Sequence, residues 1–255
     1  MESSSAPILD FDPAREALIE PSAVYRKLDV PEHCVLCFFK EVIEKVAQDH
    51  DAKIHATHRW EDGLHHLYEI QLEGKRLAFM HPGVGAPLAA GILEDAIARG
   101  CRKFIVCGGA GVLTKGTGVG NLFVVSGAVR DEGVSYHYLP AAREVQASPP
   151  AAAALETTLK ARRLPYASGK TWTTDAPYRE TAGRIARRRD EGCLTVEMEA
   201  AALMAVAEFR QVVLGQLLYG GDDLSGDRWD ERGWTTLHDL RENLFWFAAQ
   251  ACLRL

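Results

Sequence analysis

The residues best suited to chemistry lie between 192 and 223. There an apolar run ends in the acidic turn Val196-Glu197-Met198-Glu199-Ala200-Ala201, a helical pattern follows, and a second apolar run ends at Asp222-Asp223. Ionised carboxylates are costly to bury unless they are paired or hydrogen-bonded. Two clusters of them at strand ends, in an apolar setting, point to groups held ready for proton or hydroxyl chemistry. The expected place for such groups is the carboxyl edge of an α/β sheet, where open sheets bind their ligands.

The elements that must position these groups follow from periodicity. Strand-like runs are expected at 35–39, 66–72, 77–81, 103–107, 121–129, 166–170 and 212–219, and amphipathic helices at 151–162, 198–209 and 236–253. The clearest helix is 87–99. Pro87 suits its first turn, Leu88, Ile92 and Ala96 recur four apart, and Gly100 is placed to end it. With a strand on either side it makes a strand–helix–strand unit, which implies parallel neighbours. The pattern predicts a three-layer α/β/α sandwich with a mixed central sheet. Residues 1–31, rich in Pro and Asp, read as an N-terminal arm, and 32–255 as a single domain. Three glycine-rich stretches fall at expected strand ends: His81-Pro82-Gly83-Val84-Gly85, Cys107-Gly108-Gly109-Ala110-Gly111 and Gly220-Gly221-Asp222-Asp223. Glycine permits close backbone approach to a ligand. None of the three has the spacing of a dinucleotide fingerprint or a P-loop.

Composition excludes several classes. The 255 residues are 47% hydrophobic and 25% charged, enough for a sizeable core in one α/β domain. A net charge of −6 argues against nucleic-acid and anionic-membrane partners, which need clustered positive charge. No run of about 18 apolar residues occurs, so no membrane-spanning helix is expected. The polar start Met1-Glu2-Ser3-Ser4-Ser5 lacks the basic and apolar regions of a secretory signal, and a cytoplasmic protein is the expectation. Cys34 and Cys37 have C-x-x-C spacing, but within a strand residues three apart face opposite sides, which is poor geometry for a shared metal. Buried thiols and no metal site are expected.

In order along the chain, Gly83-Val84-Gly85, Gly108-Gly109-Ala110-Gly111, the segment from Ala128-Val129-Arg130 to Tyr138-Leu139-Pro140, Thr174-Asp175, Tyr178 and Val196-Glu197-Met198-Glu199 stand out. Together they resemble the nucleoside phosphorylase superfamily, which includes uridine phosphorylases, purine nucleoside phosphorylases and nucleosidases. Segment 128–140 is most similar to uridine phosphorylases. The resemblance implies cleavage of a nucleoside's N-glycosidic bond by phosphate or water. It places Met198 beneath the ribose, Glu199 on the ribose 2′- and 3′-hydroxyls, and Glu197 in support. Asp222 falls where purine-cleaving relatives keep a catalytic aspartate that uridine phosphorylases lack. Gly108, Gly109, Trp172, Thr174, Tyr178, His81 and Gly83 are the further substrate-binding residues it implies. No metal or organic cofactor is implied, phosphate being a possible co-substrate, and self-association as a dimer or hexamer is expected. The chemistry suits these groups. Positive charge grows on the sugar in an oxocarbenium-like state, so a carboxylate on the ribose diol strengthens its hold as the reaction proceeds. An acid at the base relieves the leaving group, and repulsion from Asp223 is the expected means of keeping Asp222 protonated.

The chain departs from the family at the nucleophile. Phosphorolysis needs donors for a dianion, commonly arginines. Where the family has a Gly-Asp-Pro-x-Arg loop this chain has Cys37-Phe38-Phe39-Lys40-Glu41, and Val106 stands in place of a second arginine. Three readings stay open: hydrolysis with Glu41 or Glu44 holding the water, phosphorolysis with Arg59, Lys40, Arg130 or His81 as new anion ligands, or a nucleoside-binding protein without catalysis. Arg187-Arg188-Arg189-Asp190-Glu191 reads as an exposed helix end. Segment 224–234, with Trp229 and Trp234, reads as a lid or a subunit contact.

Overall fold

The computed structural model describes residues 6–255. The chain begins with α1 (Pro21–Val24), β1 (His33–Cys37), α2 (Lys40–Asp49), β2 (Lys53–Trp60), β3 (Gly63–Leu72), β4 (Lys75–Met80) and α3 (Ala86–Arg99). It continues through β5 (Lys103–Val112), β6 (Leu122–Asp131), α4 (Ser135–Tyr138), β7 (Glu144–Gln146), α5 (Pro149–Ala161), β8 (Tyr166–Thr174) and α6 (Ala182–Asp190). Last come β9 (Cys193–Glu197), α7 (Ala200–Arg210), β10 (Val213–Asp223) and α8 (His238–Cys252).

All the strands join one mixed sheet, and the expected three layers are present. Residues of α3 and α7 bury their apolar sides on one face of the sheet, and those of α2, α5 and α8 on the other, so two hydrophobic cores flank it. The sheet is not open on both sides, however. β5 is long enough to take two partners in turn along one edge. β1 pairs with it in parallel over Lys103 to Cys107, and β9 takes over in antiparallel at Gly111 and Val112. β10 runs parallel along its other edge. From β10 the pairing continues through β6, β8 and β9, and so returns to β5, closing a ring of strands. Beyond β1 the sheet extends through β4, β3 and β2. The ring depends on pairings between distant segments, which local periodicity does not report.

Element limits differ in instructive places. β2, Lys-Ile-His-Ala-Thr-His-Arg-Trp, escapes sequence reading because it is mostly exposed and carries no apolar alternation. β8 runs to Thr174, four residues past its expected end, because the ring keeps both of its edges paired. The six cysteines are free and buried. Among the described residues, no cluster of three or more His, Cys, Asp or Glu is arranged to hold a metal, and no helix is long and apolar enough to cross a membrane. Part of 6–31 is tied to the end of α7: the Arg15 guanidinium lies 4.3 Å over the Phe209 ring, and Glu20 pairs with Arg210 at 2.6 Å.

The run at Arg187–Arg189 corrects part of the expectation of a solvated helix end: Arg187 and Asp190 are exposed, but the two arginines between them are engaged. Arg188 is buried, pairs with Asp131 at 2.8 Å and Glu191 at 3.1 Å, and lies over the Trp172 ring. Arg189 donates from Nε to the Leu113 carbonyl. Helical periodicity marks one side of α6 as polar. It does not reveal that part of that side faces the half-buried Asp131.

Candidate active site

The site begins with the turn between β9 and α7. A helix N-terminus leaves backbone N–H groups without partners, and here Glu197 supplies the acceptor. Its Oε2 accepts from the N–H of Glu199 at 2.7 Å and of Ala200 at 2.6 Å. Its Oε1 accepts from the Thr173 hydroxyl at 2.6 Å, and that hydroxyl oxygen accepts from the Ala201 N–H at 3.0 Å. Ala200 to Ala207 are all buried, and the five alanines among them let α7 lie close to both the sheet and α3. Burial pushes the Glu197 carboxyl upward, against the pull of these donors.

Glu199 is buried in the same turn but is held differently. Its Oε1 accepts one hydrogen bond, from the Gly85 N–H at 2.6 Å. Burial first, then repulsion from Glu197, pushes its carboxyl well above the usual range. With three donors on Glu197 and fewer on Glu199, the negative charge of the pair rests on Glu197 and the proton on Glu199. The loop that brings Gly85 into place depends on Gly83. Its φ is +76°, and an added Cβ would lie 2.2 Å from Leu88 Cδ2.

A cavity of about 380 Å³ opens where β1 leaves the β5 edge and β9 has yet to join it. That volume suits a small organic ligand. Of the expected site residues, Glu197, Met198, Glu199, Gly109 and Asp222 line it. Asp222 Oδ2 accepts from the Trp229 indole N–H at 2.7 Å.

The other expected residues lie elsewhere. Gly108 is covered by Phe38, whose Cδ2 would be 3.0 Å from an added Cβ. His81 braces the loop: its Nδ1 accepts from the Gly83 N–H at 3.0 Å, its Nε2 donates to the Phe38 carbonyl at 3.2 Å, and burial depresses its basicity. Trp172 is fully buried in a core with Val129, Cys193 and Val196, donating to Asp131 at 2.9 Å. Thr174 is buried and accepts from the Ala176 N–H, while Tyr178 is 98% exposed. In place of those aromatic residues, Pro177 and Glu180 line the cavity. Arg130 is not at hand for an anion. Its Nε donates to the Ser135 hydroxyl, and its two Nη atoms donate to the carbonyls of Pro140 and Leu139. Asp223, expected as the like-charged partner of Asp222, has partners of its own. It pairs with Arg232, accepts from the Ser225 N–H, and its carboxyl is held below the usual range by those donors in spite of burial.

Two residues of the cavity wall carry no local sequence signal. Glu180 ends a short turn after β8. Burial, followed by the charge of Asp222, pushes its carboxyl up to about 7 against the opposing pull of Arg184. Arg241, on α8, is the one cationic side chain lining the cavity among the described residues. It lies 4.4 Å over the Phe39 ring and pairs with Glu41 at 2.9 Å. Of the expected nucleophile-site residues, Glu41 is therefore held beside the cavity, and Arg130 is not.

Comparison with known proteins identifies relatives of the chain. The chain is 28% identical over 175 residues to a guanosine phosphorylase of Halorubrum lacusprofundi, covering 65% of this chain and 71% of that one. It is 26% identical over 182 residues to a uridine phosphorylase of Salmonella typhimurium, covering 65% and 70%. Among solved structures, the uridine phosphorylase of Vibrio fischeri superposes with a TM-score of 0.75 at 19% identity, over 89% of this chain and 94% of that one. An AMP nucleosidase of Bacteroides thetaiotaomicron superposes with a TM-score of 0.69 at 20% identity, over 88% and 87%. Residues 32–243 match the family model of the phosphorylase superfamily, and the chain belongs to that superfamily of nucleoside phosphorylases and nucleosidases.

Proposed function

We propose that this protein cleaves the N-glycosidic bond of a ribonucleoside with water as the nucleophile. The observation that carries the choice of water is the wall where an anion would have to sit. Phe38 covers Gly108, Val106 is fully buried, and the one lining cation, Arg241, is already paired with Glu41. A phosphate dianion needs several donors and gains little from an aromatic ring or a neutralised arginine. Gln216 also favours water. Gln216 lines the cavity, its buried Oε1 has no hydrogen-bond partner among the described residues, and a water or sugar hydroxyl has a proton to offer such an acceptor.

Cleavage itself is supported by Glu199 and Met198. As the ribose becomes cationic, the Glu199 carboxyl on its hydroxyls gains from ionising, so the interaction is stronger in the transition state than in the bound substrate. Turnover of uridine, inosine, guanosine and adenosine, each with and without phosphate, tests the reading. Free ribose at a rate indifferent to phosphate is expected. Ribose 1-phosphate formed only when phosphate is present would overturn the choice of water. Tight binding with no base released from any of the four would overturn cleavage as well. Phosphorolysis is the second reading, and Arg241 is what favours it: with the half-exposed Glu41 displaced into solvent, its guanidinium is free to hold an anion.

A further inference from the structure

We propose that Glu180 is the acid that hands a proton to the departing base, and that Asp222 beside it is the charge that keeps this proton in place. The inference rests on the glycosidic cleavage proposed above and names its proton donor. Two cavities meet at Glu180. One holds Met198 and Glu199. The other, of about 390 Å³, is lined by Lys115, Arg189, Arg228 and Trp229. Glu180 and Leu224 belong to both. A carboxyl in that partition has the ligand on one side and an open route to solvent on the other. The backbone is fixed there by the turn at Pro177–Arg179, with the Glu180 N–H donating to the Pro177 carbonyl at 3.2 Å. The carboxyl itself makes no hydrogen bond or ion pair among the described residues, so it is free to meet a ligand. Asp222, by contrast, is engaged by the Trp229 indole.

The charges around Glu180 come from several elements. Asp222 on β10 repels its ionised form, and Arg184 on α6 opposes that effect. Arg189 on the same helix is spent on the carbonyls of Leu113 and Ser225. Lys115 after β5, with Asp227 and Arg228 after β10, line the second cavity, while Glu197, Glu199 and Arg241 line the first. Burial and Asp222 prevail, and the carboxyl titrates at about 7, where an acid works best near neutrality. In the step itself the C1′–N bond breaks and both its electrons go to the base nitrogen. Glu180 gives its proton to the base, water adds to C1′ and releases one proton to solvent, and Glu180 regains a proton through the second cavity.

The test compares natural nucleosides with 4-nitrophenyl β-D-ribofuranoside, whose leaving group needs no proton. Glu180→Gln should lower kcat on the best nucleoside by ~10²–10⁴-fold, and by about 10-fold or less on the nitrophenyl riboside. The wild-type rate on nucleosides should fall as pH rises through about 7, and this limb should vanish in the variant. Glu180→Asp should restore part of the nucleoside rate, which a mere folding defect would not predict. Equal losses on both substrates, an unchanged pH limb, or an undiminished nucleoside rate would each overturn the role of Glu180. A wild-type protein that releases neither base nor nitrophenol would bring down glycosidic cleavage itself.

Discussion

Glu197 and Glu199 stand two residues apart in one turn, and their hydrogen-bond partners separate their work. Glu197 satisfies two backbone N–H groups and a threonine hydroxyl, so its removal would disorder the start of α7. Glu199 accepts one backbone bond and presents the rest of its carboxyl to the cavity. Glu199→Gln keeps the acceptor for Gly85 and removes the carboxyl's ability to ionise. It should lower turnover by ~10²–10³-fold, the range for losing one preorganised electrostatic contact, with the melting temperature at neutral pH no lower than in the wild type. Steady-state kinetics beside thermal melts would check this. A variant that loses stability in step with activity would make Glu199 a structural residue. Both glutamates are legible in the sequence, because acidic residues set between an apolar strand and an alanine-rich helix are too costly to bury without a task. Glu180 is not, since a glutamate after Pro177-Tyr178-Arg179 looks like any solvated turn residue.

The segment after β10 shows how an irregular element fixes a site. Asp223 and Asp230 exchange backbone hydrogen bonds of 2.8 and 3.0 Å, and Arg232 returns to Asp223, so the chain doubles back on the strand end. Trp229 reaches Asp222 from this return, and Trp234 lines the cavity. Within the chain, Trp229 and Trp234 bring segment 224–234 to the pocket rim. Trp229→Phe keeps a ring and removes the N–H. A ~1 Å misplacement of a group near the reacting atoms can cost ~10²-fold, so kcat should fall roughly 10-fold or more. The melting temperature should hardly move, because Trp229 is 62% exposed. Unchanged kcat would mean that the loop does not hold Asp222 during turnover.

At the scale of the molecule, the two walls come from opposite ends of the chain: Glu41 and Arg241 are 200 residues apart and meet beside the cavity. Gathering buried carboxyls at one place has a cost in stability. Glu180, Glu197 and Glu199 all have folded-state values raised above the ~4.3 of an unfolded chain. Each therefore contributes stability that is fully present below ~4.3 and is lost as pH rises through its folded value. His33 and His81 are depressed by burial, so their contribution runs the other way and is complete once pH passes ~6.5. Carboxyls lowered by partners, such as Asp131 and Asp223, act only in acid. Above pH ~6.5 the raised carboxyls prevail, and the melting temperature should fall toward pH ~8.5. Glu199→Gln should make that fall shallower. A flat or rising profile would contradict burial of these charges.

The amino-acid order alone determined the layered α/β class and the acidic turn at Glu197–Glu199. It also marked the glycine stretches, because periodicity, turn chemistry and residue type are local properties. The closure of the sheet into a ring was decided only in three dimensions. So were the withdrawal of Trp172 and Arg130 into the interior, the pairing of Glu41 with Arg241, and the approach of Glu180 to Asp222. Each of these depends on which distant segments pack together, and packing between elements is a property of the folded chain rather than of any window along it.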